Sequence, residues 1–139
     1  CVTDLVDDVK DIHPSYKWIV AERLANWALA ETYQQEGIVY RNPIYKGMKI
    51  EGDNIIVEFD QVGSGLTTRD GKAPDWFQVK AKNGIYTTIK EAVLEGNKVI
   101  LPKKSAAEPV VVRFGWDEIA MPNLMNKEGL PVLPFRTGK

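Results

Sequence analysis

The sequence is poor in the residues that most often carry chemistry. Cysteine occurs once, as Cys1, and histidine once, as His13. One cysteine excludes a disulfide within the chain and a cysteine-rich zinc site, and one histidine excludes a histidine-rich metal site. No cofactor is expected. Basic clusters are also scarce. The net charge is −1, and Lys103-Lys104 is too short a run to matter. A nucleic-acid partner needs clustered Lys and Arg against its phosphates, so none is expected. No apolar run approaches the roughly 20 residues that cross a bilayer, and no membrane partner is expected either. There is no signal peptide. Because the chain begins on Cys1 rather than Met, it reads as a mature or cut N-terminus, and compartment stays open. Internal repeats and low-complexity segments are missing.

What is present suits a folded domain. The chain has 139 residues, 44% hydrophobic and 27% charged. That length fits one ordinary domain, or one domain plus part of another. Residues 1–14 read as a strand end and an acidic loop containing Asp4, Asp7, Asp8 and Asp11. Pro14 biases His13 toward extended backbone. Ser15 is an N-cap candidate for a helix over 15–36. In that helix Ile19, Val20, Arg23, Leu24, Trp27, Ala28 and Glu31 recur at helical spacing, and the apolar members make one face. Gly37 is a good residue to end it. Its tryptophans and alanines imply packing on something sizeable, a sheet that this sequence does not contain.

From Ile38 the period changes. Short runs over Ile44–Ile50, Asn54–Phe59, Gln61–Thr67, Trp76–Ala81, Ile85–Ile89, Ala92–Leu94, Lys98–Leu101 and Pro109–Trp116 are separated by turn residues. Glu51-Gly52-Asp53-Asn54, Asn83-Gly84 and Glu95-Gly96-Asn97 are hairpin signals. This spacing predicts a mainly β fold, an antiparallel β-sandwich of about seven strands. The tail from Met121 to Lys139 holds three prolines and predicts no regular element. It is too apolar to hang free, so it should lie across a surface.

His13 is the natural proton carrier, with an unperturbed pKa of ~6.5. Beside carboxylates it suggests an acid–histidine pair of the hydrolase kind. The ordinary alternative is a surface or capping residue. A nucleophile is missing. Ser64 in Val62-Gly63-Ser64-Gly65-Leu66 lacks the G-x-S-x-G spacing and the following helix, so it reads as a bend. Ser15 and Ser105 read as a cap and a loop residue. The acidic cluster reads as a solvated loop rather than a cation site. Trp76 and Trp116 read as core residues in preference to a sugar-stacking platform.

Longer stretches resemble a known family. Thr3-Asp4-Leu5 with Asp7, Asp11-Ile12-His13-Pro14, Glu22-Arg23-Leu24-Ala25 and Trp27-Ala28-Leu29-Ala30 resemble the C-terminal part of sialate O-acetylesterases. So do Pro43-Ile44-Tyr45-Lys46, Val62–Leu66, Val112-Arg113-Phe114-Gly115-Trp116, Asn123–Pro131 and Pro134-Phe135-Arg136-Thr137. The resemblance spans essentially all of this sequence but only part of a typical family member. It implies an SGNH-type serine esterase with a flavodoxin-like α/β domain and a β-rich C-terminal domain. The nucleophilic serine would lie in blocks that this sequence lacks, and His13 would match the catalytic histidine. SGNH enzymes usually place the acid three residues before the histidine. Here Lys10 stands there, and the aspartate stands at two before. Asp11 is the expected acid, with Asp4, Asp7, Asp8 or a backbone carbonyl as alternatives.

The resemblance divides the chain into residues 1–39, the end of the catalytic domain, and 40–139, the sandwich. The expected partners are an O-acetylated sialic acid or related acetylated sugar and an absent N-terminal catalytic portion. The family implies a secreted, periplasmic or lysosomal setting. This chain alone should be inactive. Its exposed helix face should pair with another copy or fold back on the sandwich. The alternative function is a non-catalytic carbohydrate-binding or structural β-sandwich.

Overall fold

The computed structural model describes residues 4, 8, 10–103 and 108–138. Cys1, Asp7, Lys104 and Ser105 lie outside the described residues. One helix, α1 (Lys17–Trp27), precedes ten strands: β1 (Ile44–Glu51), β2 (Asn54–Asp60), β3 (Leu66–Thr68), β4 (Phe77–Ala81), β5 (Tyr86–Ile89), β6 (Val93–Glu95), β7 (Lys98–Pro102), β8 (Pro109–Phe114), β9 (Leu124–Asn126) and β10 (Phe135–Arg136). All pairings are antiparallel. One four-stranded sheet runs β1-β2-β7-β6, a second runs β10-β8-β4-β5, and β3 pairs with β9. The fold is the expected mainly β sandwich, with more strands than the seven or so foreseen.

Alternation builds the core. Along β2, Ile55, Val57 and Phe59 point inward, as do Val99 and Leu101 of β7. From the second sheet the row Phe135, Phe114, Phe77 and Ile89 faces them, each residue the Cα partner of the next. Phe135 gathers the aromatics. Its ring stacks 4.8 Å from Tyr45 and 5.8 Å from Phe114, and meets Phe59 edge-on at 5.8 Å. Such pairs contribute about 0.5–1.5 kcal/mol beyond area burial.

The tail corrects the expectation of no regular element. It supplies β9 and β10, and its Leu124, Leu130, Val132 and Phe135 are buried. Its prolines, Pro122, Pro131 and Pro134, all fall outside these two short strands, so none removes a donor from within them. The turns also differ in detail. Gly52 and Gly96 are the first residues of two-residue turns, and only they have positive φ (+55° and +57°). That is the type II′ pattern that fits strand twist. At Asn83-Gly84 only the glycine is left-handed, at +84°. Gly84 N–H donates to Ala81 O at 2.9 Å and Ala81 N–H to Ile85 O at 3.2 Å. The connection is therefore a three-residue loop, not a two-residue Asn-Gly turn.

The helix is shorter than 15–36. The N-cap position falls on Tyr16 rather than Ser15, and Tyr16 makes no side-chain capping bond. After Trp27 the backbone widens into a π-helical turn, Ala28–Thr32, in which Tyr33 N–H donates to Ala28 O at 3.0 Å. Glu31 is clasped there by Tyr40 and Arg41, and Gln34 turns left-handed at φ +54°. The exposed and buried sides are the reverse of an ordinary amphipathic helix. Trp18 is 64% and Leu24 55% exposed, while the buried residue is Arg23.

Candidate active-site segment

Two aspartates fold the segment that carries His13. Asp8 Oδ1 accepts the Lys10 N–H at 2.9 Å, and Asp11 Oδ1 accepts the His13 N–H at 2.8 Å. A carboxylate reaching the backbone two residues on is an Asx turn, the local device that makes aspartate a turn former. Asp11 N–H also donates to Asp8 O at 3.2 Å. The two turns in series throw Ile12 outward, 86% exposed, and leave His13 exposed at the mouth of α1. The structure thus brings Asp11 to the backbone of His13. Among the described residues, neither ring nitrogen of His13 has a hydrogen-bond partner.

Asp4 corrects the expectation of a solvated acidic loop. It is buried, only 3% exposed. Arg23 Nη1 donates to its Oδ1 at 2.5 Å, and Arg69 Nη2 donates to its Oδ2. Arg23 also donates to Gly129 O at 3.3 Å. A carboxylate this deep needs charged partners, and here it has one from the helix and one from the loop after β3. This fastens the His13 segment and α1 to the β domain. Asp4 is thereby committed to two arginines and is not free to hold an imidazole. The sequence carried one signal of it, an arginine in the middle of an apolar helical stripe with acids upstream.

A groove of about 300 Å³ opens beside this joint, lined by Ile19, Glu22, Arg69, Met125 and Glu128. Its floor explains two of the sequence stretches. Glu128 accepts the Ser64 N–H at 3.0 Å, and Lys127 N–H donates to Gly65 O at 3.0 Å. The Ser64 hydroxyl bond, with the Ser64 N–H, holds the Glu128 carboxyl below the ordinary glutamate value. Ser64 is therefore part of a bend clamped by Glu128, as its spacing suggested. Asn126 closes the next turn by accepting Leu130 N–H at 2.8 Å.

Asn123 knits the neighbouring loop. Its Nδ2 donates to Asp70 and to Ala73 O, and its backbone N–H donates to Asp75. Bonds from the Lys72 N–H and the Asn123 amide lower the Asp70 pKa, whereas burial raises that of Asp75. Trp76, next in the chain, is left-handed at φ +58° and packs on the core. Trp116 does not: it is 51% exposed, which corrects its placement in the core. It follows Gly115, also left-handed, which turns the chain out of β8. Among the described residues no group of three or more His, Cys, Asp or Glu side chains is arranged to hold a metal ion. No described helix is long and apolar enough to cross a membrane.

No protein-family model matches the chain, and no curated protein does. Solved structures do match. One is a carbohydrate acetylesterase from Xanthomonas citri, 36% identical, with a TM-score of 0.83. The match covers 93% of this chain and 30% of that protein. The chain therefore spans under a third of the acetylesterase that it resembles, and it shares the fold of that part.

Proposed function

We propose that this chain is the histidine-bearing C-terminal part of a serine esterase that removes O-acetyl groups from sialic acid or a related sugar. The observation that carries this is the likeness, in sequence and fold, to one part of a carbohydrate acetylesterase. In this reading residues 1–39 complete an SGNH-type α/β domain and residues 40–139 are its β-sandwich. The serine comes from a portion outside this sequence. His13 takes the serine proton as the oxygen attacks the acetyl carbonyl, then returns it to the departing sugar oxygen. Asp11, with Oδ1 on the His13 N–H, offers its other oxygen to the imidazole. Trp18 and Leu24 are the surface that we assign to the absent portion, with a second copy of the chain as the other occupant. The protein acts in a secreted, periplasmic or lysosomal setting.

The test is hydrolysis of an O-acetylated sialoside by a protein that joins this chain to its serine-bearing portion. His13→Ala should lower turnover by about a thousandfold, within the range for general acid–base catalysis. The 139-residue chain alone should show none. Turnover that survives His13→Ala, or turnover by the chain alone, overturns the reading. The alternative, a non-catalytic carbohydrate-binding or structural sandwich, is favoured by one observation: the His13 ring is unpartnered among the described residues. It predicts that His13→Ala changes nothing.

A further inference from the structure

The outer face of the second sheet carries charge of one sign. Register sets Arg136 of β10, Arg113 of β8, Gln78 of β4 and Thr88 of β5 in a row of Cα partners, the row alternate to the inward phenylalanines. Lys80 and Tyr86 pair on the same face. None of these four strands contains an acidic residue, in a chain with 19 acidic and 18 basic side chains.

Arg113 is held in place by its neighbours. Its Nε donates to Gln78 Oε1 at 2.7 Å, and Gln78 Nε2 donates to Thr88 Oγ1 at 3.3 Å. Its guanidinium carbon lies 3.7 Å from the Tyr86 ring centroid, a cation–π contact. Among the described residues its two terminal nitrogens have no acceptor, and neither Arg113 nor Arg136 has an ion pair. A guanidinium fixed through Nε presents its terminal pair as a planar fork that fits a carboxylate. Two like charges directly opposite on neighbouring strands destabilise a sheet. The Gln78 and Tyr86 contacts draw the Arg113 guanidinium toward β4 and β5 but bring no negative charge, which a bound anion would supply.

We propose that this face binds the carboxylate of an acidic sugar, with the terminal nitrogens of Arg113 gripping the carboxylate, Arg136 adding positive charge from the next strand, and Lys80 and Thr88 offering donors to the ring. The carboxylate half stands on these side chains. The sugar half rests on the carbohydrate reading above. It is a site of binding, not of turnover, and it can be measured without any ester.

The experiment is an NMR titration of the 139-residue chain with four probes: the methyl glycoside of N-acetylneuraminic acid, its methyl ester, acetate and inorganic phosphate. The free acid should shift the signals of Gln78, Arg113 and Arg136 and saturate. The ester, acetate and phosphate should each bind weaker by about tenfold or more. Arg113→Gln and Arg136→Gln should each weaken the acid about tenfold, and added salt should weaken it further. No shift on this face overturns the proposal. So does equal binding of the ester, which shows that charge is not read, or of acetate or phosphate, which shows that the sugar is not read. Unchanged affinity in both variants overturns it as well. Arg136 is exposed at a strand end, so its variant keeps the test open if Arg113→Gln does not fold. Loss of binding with ester hydrolysis intact in the longer protein sinks this site alone.

Discussion

Replacing Asp4 by alanine should be among the most damaging single changes outside the hydrophobic core. The carboxylate is 2% exposed as a side chain, Arg23 is 8% and Arg69 is 29%. Without Asp4 two guanidiniums face each other. Arg69 can turn to water, but Arg23 is buried, and its bond to Gly129 O is long at 3.3 Å. Removing one partner of a buried pair costs about 3–5 kcal/mol, and the partial exposure of Arg69 favours the lower end. Set against a total stability of about 5–15 kcal/mol, a loss of ~3 kcal/mol is large. It corresponds to a fall in Tm of about 10 °C for a chain of this size. Arg23→Met should cost less, because Asp4 keeps Arg69 and the apolar stem is replaced. The double variant should therefore lose less than the sum of the two, with a coupling of about 1 kcal/mol or more. Urea unfolding followed by tryptophan fluorescence measures all three. Asp4→Ala within about 0.5 kcal/mol of the parent, or strict additivity, would refute the view that this triad fastens α1 to the sandwich.

Other changes have equally direct outcomes. Phe77 is fully buried with its ring 4.7 Å from Phe114, so Phe77→Ala should cost about 3–5 kcal/mol in the same assay. Gly63 has φ +56°, and a Cβ there would run into the Glu128 carboxylate. Gly63→Ala should cost about 1–2 kcal/mol for the left-handed backbone and push Glu128 aside, which faster hydrogen exchange at the Ser64 amide would report. The Glu128 carboxyl should titrate below the ordinary glutamate value of about 4.3 and move back up in Ser64→Ala, read by carbon NMR. Because its folded pKa is lowered, its contribution to stability is complete above that ordinary value. It is lost as pH falls through the depressed one. A Glu128 midpoint at or above the ordinary value would contradict the clamp.

The eight runs between Ile44 and Trp116 were legible because both of their signals are local. Alternation such as Ile55, Val57, Phe59 has a period of two wherever one face is buried, and the glycines at 52 and 96 mark the turns. The tail was not legible, because β9 and β10 owe their conformation to partners about 60 and 20 residues earlier in the chain, Thr67 and Arg113. No local propensity reports such a pairing. The Asp4 joint failed to show for the same reason: its arginines lie 19 and 65 residues away. The opposite error occurred at Trp116, where a large aromatic suggested core, but the left-handed Gly115 turns the chain to the surface. At the candidate site, the Asp11-Ile12-His13-Pro14 stretch pointed to the histidine. Its bond pattern follows from simple turn chemistry, in which an aspartate caps the amide two residues on.

The position of Phe135 has a consequence for how the chain acquires its shape during synthesis. Four aromatic partners, at positions 45, 59, 77 and 114, converge on a ring that leaves the ribosome after all of them. A nascent chain that stops short of it holds both sheets' inner faces without the residue that joins them. Hairpins such as β1–β2 and β4–β5 can pair before it, but the inner faces that Phe135 covers stay wet until it is made. Chains in that condition are the ones that mispair or aggregate. Contacts of such long sequence separation also close slowly, because the loop entropy is lost before the contact rewards it. A nick or stop just before Phe135 removes β10 and the ring that four core aromatics share, a larger loss than its distance along the chain suggests.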